Sequence, residues 1–194
     1  MNVARAPDPS LPRHKLDVRD YHRMLEVGIL TESDRVELIE GEIIDMTPIG
    51  GSHINIVNWL NGLLVTATFG RATVSVQNSL RLSDRTEPQP DLVLLRPRRN
   101  AHRSKEVPTV DETILVIEVA DSSLRYDRDT KFPLYARRGV PEAWLVDVKG
   151  RTLVRYRDPD TGTGRYRDVD EPDRSSALPM TALPGTAVDL SELF

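Results

Sequence analysis

The longest uninterrupted signal in the chain is a set of short apolar runs separated by turn residues. LVLL at 92–95, ILVIEVA at 114–120 and WLVDV at 144–148 lack the polar face of a half-exposed strand. They predict central strands covered on both sides. TVSVQNSLRL after Gly70 also reads as a strand, and RTLVRYR after the turn Lys149-Gly150 reads as a strand with alternating faces. RVELIEGEIIDM carries Val, Ile and Leu on either side of Glu40-Gly41, the pattern of a tight hairpin.

Helical spacing appears three times. In DVRDYHRMLEVG, Val18, Tyr21, Met24 and Leu25 share a face, with Asp17 as N-cap and Gly28 past the end. In PIGGSHINIVNWLNGLLVTATFG, Ser52 is the expected N-cap and Ile54, Val57, Leu60 or Asn61, and Leu64 recur at helical intervals. TKFPLYARRG reads as a helix closed by Gly139, and Pro133, tolerated in a first turn, places its start near Asp129 or later. Residues 1–16, with three prolines, read as a flexible N-terminal arm, and 17–194 as a single domain with a turn-rich tail from about 158. The sum is an α/β (α+β) architecture, a central mixed β-sheet flanked by α-helices.

One residue breaks this pattern. Glu118 lies within ILVIEVA, on a strand apolar on both faces. An ionised carboxylate in a dry interior costs several kcal/mol unless a cation or hydrogen-bond donors compensate it. Arg125, Arg128 and Lys131 follow it in sequence, and Asp91 opens another apolar strand directly after Pro90. If the two strands are neighbours, Asp91 and Glu118 approach at one end of the sheet, where a hard divalent ion with oxygen ligands would relieve their repulsion. Lys131 and Tyr135 are four residues apart and share a helix face. Two carboxylates and a lysine are the set needed for metal-assisted phosphodiester hydrolysis. A salt bridge from Glu118 to Arg125 or Arg128 would account for the same glutamate without any ion.

Composition narrows the classes. The chain has 194 residues, no cysteine and a net charge of −4, so disulfides, thiolate zinc sites and a cysteine nucleophile are excluded. A strongly basic duplex-binding body is excluded as well, and any contact with nucleic acid must be local. The basic cluster Arg96, Arg98, Arg99, Arg103 and Lys105 is equally consistent with phosphate contact and with a solvated loop. No stretch reaches the roughly 18 apolar residues of a membrane span, so no membrane partner is expected and the cytoplasm is the expected location. No nucleophile elbow, phosphate loop or zinc spacing is present.

Pro90-Asp91, Glu118 on its hydrophobic strand and a nearby lysine resemble the PD-(D/E)XK nuclease signature. The ordered series VELIEGEI, Ser52-His53 opening a helix, QPDLVLL and LVIEVADSSLRYDRDTKFPLYARRGVPEAWLVD resembles the Uma-two endonuclease family over roughly residues 17–157. That resemblance implies a restriction-endonuclease-like fold and an endonuclease acting on DNA with Mg²⁺ or Mn²⁺. It implies Asp91 and Glu118 as metal ligands, Lys131 as the catalytic lysine and Glu37 as a further acidic catalytic residue, with His53 and Tyr135 as possible accessories. The sequence departs from the superfamily pattern at Ala120, where a lysine is usual, so the lysine has to come from the following helix. A homodimer is expected. The contrasting expectation is a catalytically inactive dimeric scaffold or regulatory module on the same fold.

Overall fold

The computed structural model describes residues 12–31, 33–98 and 104–194. Arg99 and Arg103 of the basic cluster, and residues 1–11 of the N-terminal arm, lie outside these.

Helix α1, Val18–Glu26, begins at Asp17, whose carboxylate accepts the Arg19 and Asp20 N–H groups while Asp20 returns a bond to the Asp17 N–H. This capping box satisfies donors that a helix start would leave open. Val18 and Tyr21 are buried, whereas Leu25 of the expected face is exposed. Strands β1, Val36–Ile39, and β2, Glu42–Asp45, pair antiparallel with Ile39 opposite Glu42, so Glu40 and Gly41 form a two-residue turn. Both turn residues have positive φ, 48° and 80°. A Cβ on Gly41 would stand 2.8 Å from the Lys15 Cβ, so both conformation and space favour glycine there.

The main sheet has six strands in spatial order β3-β4-β5-β6-β7-β8, with β5 and β6 parallel and every other pair antiparallel. They are β3 Thr73–Val76, β4 Leu92–Leu95, β5 Thr113–Ala120, β6 Glu142–Asp147, β7 Thr152–Asp160 and β8 Arg165–Asp170. All eight residues of β5 are buried. Helix α2, Gly51–Ala67, covers one face, where Val57, Leu60 and Leu64 pack with Leu92, Leu94, Ile117 and Val119. The other face carries Val93, Val116 and Ala120 against Phe132, Leu134, Tyr135 and Ala136.

The connection from β5 to the parallel β6 is helical almost throughout. α3, Leu124–Tyr126, continues through a π-helical segment, Asp127–Lys131, into α4, Phe132–Arg138, which Gly139 closes at φ 80°. Helix therefore begins at Leu124, well before the expected start near Asp129. Pro133 has no N–H to bond the preceding turn, and the π turn carries the helix past it, with the Phe132 N–H reaching the Asp127 carbonyl.

Three further local expectations change. Gly50 is the N-cap of α2 with no side-chain cap, so Ser52 lies inside the helix, and His53 is buried where Ile54 was expected, because Ile54 faces out. TVSVQNSLRL forms a strand only to Val76, since Gln77 turns at φ 49°. Beyond Asp158 the chain supplies the end of β7, the edge strand β8 and a small β9-β10 pair, Leu178–Pro179 with Ala187–Val188. Leu178, Met180, Val188, Leu190 and Leu193 enter the core beneath α2. Buried Glu142 fastens this end to the sheet by accepting the Trp144 indole N–H at 2.8 Å and the Ala182 N–H at 3.0 Å.

Candidate active site

Residues on β5 alternate between the two covered faces. Ile117 and Val119 face α2, so Glu118, like Val116 and Ala120, faces the side of α4. On β4, Leu92 pairs with Ile117, which puts the preceding Asp91 opposite Glu118 at the strand end. The two carboxylates, 27 positions apart in the sequence, are thus neighbours on one face of the sheet. Asp91 Oδ2 accepts the Val119 N–H at 2.8 Å, and Oδ1 lies 2.9 Å from His53 Nε2 and 3.3 Å from Gln77 Nε2.

Glu118 is 2 % exposed. Its Oε1 accepts the Tyr135 hydroxyl and lies 3.2 Å from Lys131 Nζ. Lys131 Nζ is also 3.2 Å from Glu37 Oε2. Glu37, on β1, accepts the Gln89 N–H at 3.1 Å and the Tyr126 hydroxyl at 2.9 Å. The hairpin therefore delivers one carboxylate and the helix delivers the ammonium to the glutamate of β5. Arg125 and Arg128, the alternative partners for Glu118, face Asp129 instead.

Sequence reasoning missed Asp127 and Tyr126. Asp127 is 3 % exposed, accepts the Ser123 hydroxyl and lines the same cavity. A signal for it is present in the chain: Ser123, Asp127, Lys131 and Tyr135 form a polar repeat of period four. In a regular α-helix each four-residue step drifts by about 40°, so three steps turn the last residue about 120° from the first. The wider π turn at Asp127–Lys131 takes up that drift and keeps the series toward Glu118. His53, one turn into α2, is buried on Asp91, and its Nδ1 has no partner among the described residues. Within the basic cluster, Arg98 pairs with Glu112 at 2.6 Å and with Glu106 at 3.9 Å.

The electrostatics follow from burial. Burial alone pulls the Lys131 ammonium downward, but Glu118, Glu37 and Asp127 outweigh it and hold Lys131 above the usual lysine range. Burial pushes the Glu118 carboxyl well above its ordinary value; Lys131 opposes this, and Asp127 and Asp91 add to it. Asp127 is raised by burial against the opposing pull of Lys131 and Ser123. Burial, reinforced by Glu37, likewise keeps the Tyr126 phenol protonated. Lys131 is consequently a fixed positive charge. It is suited to hold an oxyanion or orient a water and unsuited to take a proton.

Glu37, His53, Asp91, Glu118, Asp127 and Lys131 line one cavity of about 180 Å³. Among the described residues no three histidine or acidic side chains stand as a ready cage for an ion. Two oxygen-bearing carboxylates with room beside them still suit Mg²⁺, which commonly takes one or two protein carboxylates and completes its shell with water and phosphate oxygens. No helix among the described residues is long and apolar enough to cross a membrane.

The chain spans 92 % of its length, and 97 % of the other chain's, in superposition on a crystal structure titled as "a putative nuclease belonging to DUF820" from Anabaena variabilis ATCC 29413, with a TM-score of 0.71 and 17 % sequence identity. At that identity the likeness is one of fold. No curated protein matches the sequence. The family model described as "Putative restriction endonuclease" matches residues 18–191, beyond the span the sequence motifs delimit and through the C-terminal strands, and the chain therefore belongs to the Uma2 family.

Proposed function

We propose that this protein is a nuclease that hydrolyses phosphodiester bonds of DNA with the help of Mg²⁺ or Mn²⁺. One observation carries the reading: Asp91 and Glu118 stand opposite each other on neighbouring strands, in one recessed cavity with a lysine held between Glu118 and Glu37. Family membership supports the same reaction class.

Asp91 and Glu118 would hold the ion, which supplies charge to polarise the phosphate and to make bound water more acidic. The remaining steps belong to the chain. The Val119 N–H and His53 fix the Asp91 carboxylate, and the Tyr135 hydroxyl fixes Glu118. Lys131 presents its protonated amine to the incoming water or to a non-bridging phosphate oxygen, offsetting charge that builds as water adds to phosphorus. Glu37, held by Tyr126 and the Gln89 N–H, keeps Lys131 charged and aimed. The P–O bond to one bridging oxygen breaks, and the proton lost by water is returned through solvent to that leaving oxygen. We place the activity in the cytoplasm, in a homodimer, with residues 17–194 acting as one domain.

The deciding experiment is cleavage of supercoiled and single-stranded DNA with Mg²⁺ or Mn²⁺, wild type beside Asp91→Asn and Glu118→Gln. Loss of cleavage in both isosteric variants is expected. Cleavage that persists in either would refute the ligand assignment. Absence of cleavage by the wild type with both ions would favour the scaffold reading, in which Lys131 permanently neutralises the buried carboxylates.

A further inference from the structure

The cavity does not end at its carboxylates. Past Arg35, Ile49 and Gln89, which line both spaces, it opens into a shallower groove of about 940 Å³ that runs beside α1 and the turn after β3. Two features of this groove are unexplained by folding alone. Gln89 is half-buried, and while its N–H anchors Glu37, its side-chain amide makes no hydrogen bond among the described residues. Gln77 adopts φ 49°, a conformation that side-chain-bearing residues avoid and that clusters at functional sites. Its N–H holds the Asp91 carbonyl at 3.0 Å and its side-chain nitrogen holds Asp91 Oδ1. Its amide oxygen, like the Gln89 amide, has no partner among the described residues.

The charge around the groove is sparse. Arg35 is exposed and is the one arginine or lysine among the groove's lining residues, which also include Asp34 and Glu87. A duplex is held largely by several neutralised phosphates, and this rim offers one cation. Glu118, Glu37 and Lys131 are more than nine-tenths buried. A phosphodiester reaches that depth when its neighbouring nucleotide can leave its stack. Side-chain amides then find base edges that pairing would otherwise occupy.

We propose that this groove seats the sugar and base of the nucleotide next to the scissile phosphate, with Arg35 on a flanking phosphate and Gln89 and Gln77 on the base edge, so that the substrate is an unpaired strand. The proposal rests on the nuclease reading for its chemistry and makes its own statement about binding.

The test is fluorescence anisotropy with a labelled unpaired 12-nucleotide DNA and a hairpin duplex of the same sequence, calcium replacing magnesium as the hard cation. The expected result is at least about tenfold tighter binding of the unpaired strand, reduced about tenfold by Gln89→Ala, as loss of one hydrogen bond to a base implies. Arg35→Ala should lower the slope of log affinity against log salt by about 0.7, one phosphate's worth for a single strand. Thermal midpoints near wild type confirm that both variants fold. Equal or tighter duplex binding, no binding of either DNA, or unchanged affinity in a folded Gln89→Ala would overturn the proposal. Cleavage of the same DNAs with magnesium separates the two readings: unpaired binding without cleavage defeats the nuclease reading and leaves the groove standing, whereas cleavage confined to duplex defeats the groove alone.

Discussion

Lys131 and Glu118 are 13 residues apart in the chain, and their side chains meet at 3.2 Å in the interior, with Glu37 completing a bridge at the same distance from the lysine. The three groups come from a helix, a central strand and a hairpin, so one ammonium joins three parts of the fold. Each is at least nine-tenths buried. The arrangement has mechanical consequences apart from any chemistry.

Replacing the ammonium by an apolar group of similar length, Lys131→Met, leaves Glu118 and Glu37 facing each other without a cation. Removing one partner of a buried pair costs about 3–5 kcal/mol. We expect a loss of that order in urea denaturation at neutral pH. Adding Glu118→Gln should recover much of it, because the remaining carboxylate no longer faces a second buried charge. A double variant no more stable than Lys131→Met would show that the bridge contributes little.

Tyr135→Phe removes one hydroxyl and keeps the ring among Phe132 and its neighbours. Glu118 then loses a donor in a dry setting, at a cost of about 1–3 kcal/mol. Cleavage should fall with it, since the carboxylate loses an orienting contact. A variant with wild-type denaturation midpoint and full activity would contradict the role given to the hydroxyl.

Asp17 provides the pH dependence. The Arg19 side chain, chiefly, and the N–H groups of Asp20 and Arg19 lower its carboxyl to about 2. A carboxyl depressed in the folded state contributes stability above its unfolded value near 3.9, and that contribution is lost as pH falls through the folded value near 2. Asp17→Ala should therefore lower the thermal midpoint at pH 7, and the difference from wild type should close between about pH 4 and pH 2. A difference that stays constant across that window would mean that the cap's charge does not support α1.

Much of this organisation was legible in the residues for identifiable reasons. Central strands declare themselves because covering both faces removes every polar position, and the hairpin did so because Glu40-Gly41 supplies two consecutive positive φ values. Glu118 was conspicuous because a charge violates that pattern, and Asp91 came with it because β4 and β5 pair in the register that sets the two opposite. What stayed hidden depended on contacts distant in sequence or on unusual backbone. The π segment has no propensity signature of its own, so the helix was expected to start only near Asp129, and Asp127 and Tyr126 went unnoticed. Residues after Asp158 look like turns because their apolar members are spread singly, yet each finds a place under α2 or at the sheet edge. His53 displaced Ile54 from the buried face because Asp91 supplies a partner that no local pattern reveals.

The divalent ion gives the remaining prediction, and it can be read without any substrate. Asp91 and Glu118 are already adjacent in the fold, so an ion held by them, as proposed, would bind the native chain and find no such pair in the unfolded one. Mass action then requires stabilisation by about 2.7 kcal/mol at a concentration one hundred times the dissociation constant. Mg²⁺ or Mn²⁺ should raise the thermal midpoint of the wild type in a saturable manner. The same titration should leave Asp91→Asn and Glu118→Gln unmoved, while Asp17→Ala, at a residue that does not line the cavity, should respond as the wild type does. An equal shift in all four proteins would assign the effect to general salt screening, since only a bound ion distinguishes the two carboxylate variants from the cap variant.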